Sequence, residues 1–101
     1  MIRLLESARE DLAEGYSFYE RCREGLGDYF LSCLQADIDS LTLYAGIHEV
    51  SDGFHRMLSK RLPFAIYYLV TPRTIDVYAV LDCRRDPNTN VRRLRSVKPK
   101  T

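Results

Sequence analysis

The chain has 101 residues, enough for one domain with its own core. Apolar residues make up 46% and charged residues 29%, which argues against wholesale disorder, and no run of 18 apolar residues is present, so no membrane span is expected. A net charge of +1 hides an asymmetry: residues 84–101 carry seven basic side chains against Asp86 (7 − 1 = +6), and residues 1–83 carry eight against thirteen acids (8 − 13 = −5).

In chain order, Ile2 to Leu5 reads as a short strand. Ser7-Ala-Arg-Glu10 has the form of a capping box opening a helix that runs to about Glu24. Its apolar stripe is Ala8, Leu12, Tyr16, Tyr19 and Cys22, at helical spacing. Gly25 suits a left-handed helix end. A second helix follows from Leu26-Gly27-Asp28, with Phe30, Leu34, Ile38 and Leu41 on one face. The link between the helices is short, so they should be antiparallel neighbours.

After Gly53 the period changes. Phe54–Ser59 reads as a strand, and Lys60-Arg61-Leu62-Pro63 as a bend. Phe64–Val70 is a β-branched and aromatic run suited to a central strand. Thr71–Thr74 is a turn. In the next strand Ile75, Val77, Ala79 and Leu81 alternate with Asp76, Tyr78, Val80 and Asp82. The expected architecture is α+β: an N-terminal strand, then an antiparallel helix hairpin on one face of an antiparallel sheet of about four strands. Residues 1–90 form the domain. Residues 91–101 are a basic tail, either part of it or flexible.

Cys22, Cys33 and Cys83 are odd in number and form no Cys-x-x-Cys, which points to a reducing compartment and to neither disulfides nor zinc. No signal-peptide pattern opens the sequence, so the expected location is cytoplasmic. No P-loop, dinucleotide fingerprint or His-Glu-x-x-His occurs, and no cofactor is called for. His48 and His55 lack a visible orienting partner for general-base work. Tyr67 and Tyr68 point to opposite faces of one strand. Tyr78 is expected on the face the helices leave open, suited to stacking or to a partner's amphipathic segment. Asp82-Cys83-Arg84-Arg85-Asp86-Pro87 is the densest polar cluster. Its guanidiniums suit phosphate or carboxylate, and Arg56, Lys60 and Arg61 are expected at the same edge. The basic tail, with Arg92, Arg93 and Arg95, suits an acidic or polyanionic partner.

Leu62-Pro-Phe-Ala-Ile-Tyr-Tyr68, Val77-Tyr-Ala-Val-Leu81 and Arg84-Arg-Asp-Pro87, with Arg56 upstream, resemble the RelE/ParE superfamily of bacterial toxin–antitoxin modules. The segment around Asp11-Leu12, Gly25-Leu-Gly27, Phe30 and Leu34 is similar to that family too. The resemblance implies a toxin neutralised by a small antitoxin, in a toxin–antitoxin hetero-oligomer that meets DNA only through the complex. RelE-like members cleave messenger RNA on the ribosome, whereas ParE-like members inhibit DNA gyrase. This sequence departs from the RelE-like pattern. Ala65 stands where an arginine is expected, Leu58 where a basic residue is expected, and Asn90-Val91 where a tyrosine is expected. The departures favour the ParE-like side, with plasmid stabilisation and growth arrest by gyrase binding. The alternatives are a ribonuclease using Arg56, His55, Arg84 and Arg85, and an inert relative that only binds antitoxin. Tyr16, Tyr19, Tyr67, Tyr68 and Tyr78 are the expected antitoxin contacts. Arg84, Arg85, Arg56, Lys60, Arg61, Arg92, Arg93 and Arg95 are the expected target contacts.

Overall fold

The computed structural model describes residues 1–99; Lys100 and Thr101, part of the expected tail, lie outside the described residues. Five strands and four helices follow in the order β1 (Ile2–Leu4), α1 (Glu6–Cys22), α2 (Leu26–Asp39), α3 (Leu41–Tyr44), β2 (Val50–Ser51), β3 (Phe54–Leu58), β4 (Phe64–Val70), β5 (Ile75–Asp82) and α4 (Pro87–Val97). The strands form one sheet in the order β1-β5-β4-β3-β2. The architecture is α+β as expected, but the sheet has five strands and is mixed. β1 pairs parallel to β5, and the other pairs are antiparallel. The parallel pair is possible because β1 and β5 are joined by a long crossover through the helices and β2–β4 and not by a tight turn.

Two cores flank the sheet. Ala8, Phe30, Leu34, Ile38 and Leu41 of the helices pack on Phe64, Ile66, Tyr68, Val77 and Val80. On the other face Phe54, Ala65, Tyr67, Ala79 and Leu81 pack against Leu94. The expected tail is therefore largely helix α4, and the 90/91 boundary falls inside it. Asp86 caps α4 by accepting from the Asn88 amide at 2.9 Å, and Pro87 occupies the first turn. Leu94 is 1% exposed, and its burial stabilises this docking by about 1.5–3 kcal/mol.

The pairing register slips between Tyr67 and Tyr68: Tyr67 faces Ala79, but Tyr68 faces Val77. Tyr78 is thus an extra residue, a β-bulge. It reverses the facing of β5, so Ile75 and Val77 join the helix-side core while Ala79 and Leu81 join the other. Strict alternation along β5 had placed all four together.

The expected capping box does not form. α1 starts at Glu6, with Leu5 at the N-cap and no side-chain cap. The Ser7 hydroxyl instead donates to the Tyr78 carbonyl at 2.6 Å. One turn later Asp11 accepts from the Val80 amide at 3.0 Å. β1 ends at Leu4, so beyond it these two side chains serve the outer rim of bulged β5 in place of a strand. Glu20 supplies a cap that the sequence reading missed. Its carboxylate accepts from the amides of Gly25 (3.1 Å) and Gly27 (2.9 Å) at the start of α2. Gly25 holds φ +86°, the left-handed conformation expected there.

No helix among the described residues is long and apolar enough to cross a membrane.

Candidate target-binding rim

The polar cluster after β5 lies where three elements meet. Arg84 clasps Asp82 through Nε (3.0 Å) and Nη2 (2.8 Å), and its backbone amide donates to the same carboxylate at 2.8 Å. These bonds hold the Asp82 carboxyl below its ordinary range. Arg85 donates to Glu14 of α1 at 2.7 Å. Both pairs are solvent-exposed, so each is worth at most about 1 kcal/mol to the fold. The arginines are available to exchange these partners for another anion.

Arg56 comes from β3 on the α4 side of the sheet. Its Nε donates to the Tyr67 hydroxyl at 3.1 Å, and its Nη2 lies 3.6 Å from the Cys83 sulfur. The hydrogen bond to Tyr67 raises the Arg56 pKa further, so its charge is permanent. Arg56, Tyr67, Cys83, Arg85 and Asn90 line a recess of about 280 Å³ beneath the start of α4. Asn90 donates through Nδ2 to the Asp82 carbonyl at 2.9 Å. Its Oδ1 is buried and has no partner among the described residues. This acceptor sits where the sequence comparison had noted only a missing tyrosine.

His55 does not join this group. It neighbours Arg56 in β3, so its side chain points to the opposite face. There its Nδ1–H donates to the His48 carbonyl at 2.8 Å, and its ring stacks on Tyr68 at 5.1 Å. His48 Nδ1 shares a hydrogen bond with the Tyr68 hydroxyl, which accepts from the Gly46 amide at 2.9 Å. Burial, then the neighbouring His55, lowers the His48 pKa. The expected combination of His55 with Arg56 is thus split across the sheet, and no hydrogen bond among the described residues links His55 to Arg84 or Arg85.

Lys60 and Arg61 lie in the bend after β3. They line a hollow against α2, with Tyr29, Cys33 and Asp37, rather than the Arg56 recess. Buried Asp37 anchors that bend by accepting from the Ser59 hydroxyl (2.5 Å) and the Lys60 amide (3.4 Å). Arg93 turns inward and pairs with Asp11 (3.0 Å) and Glu10 (3.4 Å), whereas Arg92 and Arg95 face solvent.

The tyrosines divide as well. Tyr67 is 6% exposed and Tyr68 0%. Both are expected antitoxin contacts, and both are covered here, by α4 on one face of the sheet and by α1 and α2 on the other. Tyr78 is half-buried against Phe54, with ring centres 5.2 Å apart. Tyr16 and Tyr19 are half-buried on α1, and Tyr19 packs between Phe18, which is exposed, and Phe30.

Cys22, Cys33 and Cys83 are free thiols. No group of three or more His, Cys, Asp or Glu side chains that could hold a metal ion occurs among the described residues.

No family model and no curated protein matches the sequence. Among solved structures, the chain is similar to one from the chromosomal ParDE TA system of P. aeruginosa, with a TM-score of 0.66 and 17% sequence identity, over 78% of this chain and 90% of that one. The resemblance carried by the Leu62–Tyr68, Val77–Leu81 and Arg84–Pro87 segments thus agrees with the backbone, and this chain has the fold of a component of a ParDE toxin–antitoxin system.

Proposed function

We propose that this chain is the toxin of a type II toxin–antitoxin pair and that it arrests growth by binding DNA gyrase rather than by cutting RNA. The fold shared with a ParDE system chain supports the toxin reading. One observation carries the preference for binding: His55 lies on the opposite face of the sheet from Arg56, so the arginine rim has no histidine to move a proton. RNA cleavage needs a base for the attacking hydroxyl and an acid for the leaving oxygen, besides positive charge. Here the charge is present in Arg56, Arg84 and Arg85. Asp52 also lines the recess, but its one side-chain hydrogen bond among the described residues is with Ser51, at 3.4 Å. Arg84, Arg85 and Arg56 are assigned to the target. The antitoxin is assigned to the helix hairpin, where Tyr16, Tyr19 and exposed Phe18 lie.

A second reading, ribonuclease, draws support from the unpartnered Asn90 Oδ1 beside Arg56, since a recess with both a cation and a free acceptor suits a nucleotide.

The chain is expressed with and without its cognate antitoxin, and plasmid supercoiling and RNA integrity are followed together. Intact RNA with blocked supercoiling is the expected result. Cleaved transcripts with normal supercoiling would establish the ribonuclease, and unimpaired growth would mark an inert antitoxin-binding relative. Arg84→Glu with Arg85→Glu should abolish toxicity and leave the circular dichroism spectrum unchanged. Persistent toxicity in that variant removes both residues from the target surface.

A further inference from the structure

We propose that the outer face of α4 is a docking surface for the phosphate backbone of duplex DNA, so that this chain touches nucleic acid itself and not only through a partner. This goes beyond the toxin reading and stands without it. α4 carries Arg92, Arg93 and Arg95 and no acidic residue. The three arginines have different surroundings. Arg93 is neutralised by Asp11 and Glu10, and also donates to the Ser7 carbonyl at 3.0 Å. Arg92 and Arg95 are exposed, and no carboxylate pairs with either among the described residues. Arg92 reaches only the Thr89 hydroxyl, at 3.5 Å. Asn88 and Ser96 add exposed polar groups to the helix. Side chains three apart on a helix lie about 5–6 Å apart at Cβ, so Arg92 and Arg95 act as neighbours.

The same helix argues against a protein as the occupant. Its apolar residues are engaged elsewhere: Leu94 and Val97 in the core, and Val91 in the recess wall. The outer face therefore has no hydrophobic anchor, and a stable protein interface centres on one. A phosphate backbone needs cations and neutral donors and no apolar contact. None of the exposed large apolar side chains among the described residues belongs to α4. The acids of α1 nearest to α4, Glu10 and Asp11, are taken up by Arg93 and leave Arg92 and Arg95 without a carboxylate partner among the described residues.

The test is fluorescence anisotropy of the purified full chain with a labelled DNA duplex of about 20 base pairs, over a salt series from about 50 to 200 mM. Each phosphate neutralised contributes about 0.9 to the slope of log K against log salt, so Arg92→Gln with Arg95→Gln should flatten the slope by about 1.8. Over that range the wild type then loses affinity about 12-fold more steeply than the variant. Arg21→Gln with Arg23→Gln, on the opposite helix hairpin, should leave the slope unchanged. Circular dichroism confirms that every variant is folded. Equal slopes for wild type and the α4 variant would overturn the proposal. So would the absence of binding at the lowest salt, or polyglutamate competing more strongly than unlabelled duplex at equal charge, which would assign the face to an acidic protein.

Discussion

Gly15→Ala sets helix propensity against packing, and the structure decides which wins. Gly15 lies mid-way along α1 and is buried. An alanine is worth about 1 kcal/mol more than glycine in a helix interior. Here, however, a Cβ would stand 2.2 Å from Phe30 Cζ and 2.7 Å from Cε2. Reaching an ordinary contact of 3.4 Å requires the ring to retreat by about 1.2 Å (3.4 − 2.2). Phe30 is 0% exposed, and its ring sits 4.9 Å from that of Tyr19 and 5.1 Å from that of Phe64, so it has little room to give. Overpacking of this kind costs about 1–3 kcal/mol and more when the neighbours are locked. The expected net loss is about 1–2 kcal/mol, which for a domain of this size lowers Tm by roughly 5–15 °C. Urea and thermal unfolding followed by circular dichroism measure it. In a Phe30→Leu background the ring is gone, and the cost of Gly15→Ala should shrink or change sign, a coupling read from the double-mutant cycle. A Gly15→Ala protein as stable as wild type, or more so, refutes the packing account.

Two further outcomes can be measured on the same preparations. Glu20→Ala removes the acceptor for the Gly25 and Gly27 amides and should cost about 1 kcal/mol in urea unfolding, with Glu20→Gln retaining part of it; no change would mean that water replaces the carboxylate. His48 is held below its ordinary pKa by burial and then by His55. The unfolded chain therefore takes up its proton first, near pH 6.5. The stability His48 contributes is present above about pH 6.5 and lost as the pH falls toward the folded-state value. The urea midpoint of His48→Gln should depend less on pH over that interval than wild type, and parallel curves would exclude the histidine.

The helix hairpin and the two long strands were legible because their apolar side chains keep one period. Phe30, Leu34 and Ile38 recur at helical spacing, and Phe64–Val70 is dense enough in β-formers to tolerate no other reading. The opposite facing of His55 and Arg56 was legible too, from strand geometry alone, although a catalytic grouping of the two had been entertained. Other features depend on contacts far apart in sequence. Ser7 and Glu10 satisfy the capping-box pattern, yet the hydroxyl finds a better acceptor 71 residues away, at Tyr78. The bulge at Tyr78 carries no local mark, and one inserted residue was enough to exchange the faces of Ala79 and Val80. α4 did leave a signal. Asp86-Pro87 is a helix start, and Val91, Leu94 and Val97 recur every third residue, but the arginines between them drew the reading toward a solvated tail. The cap from Glu20 was hidden because it acts across a turn onto the next helix.

The pairing of Ser7 and Asp11 with the rim of β5 bears on how molecules of this chain meet one another. An uncovered strand rim invites a second chain to add its own strand, the route by which sheet proteins stack into fibres. On the β5 side, three residues of β1 are followed by helix side chains that already engage Tyr78 and Val80, so that flank offers little template. On the other flank β2 engages only Phe54 and His55 of β3. Growth by strand addition is therefore one-sided, and a molecule that adds to its neighbour there presents a poor surface for the next.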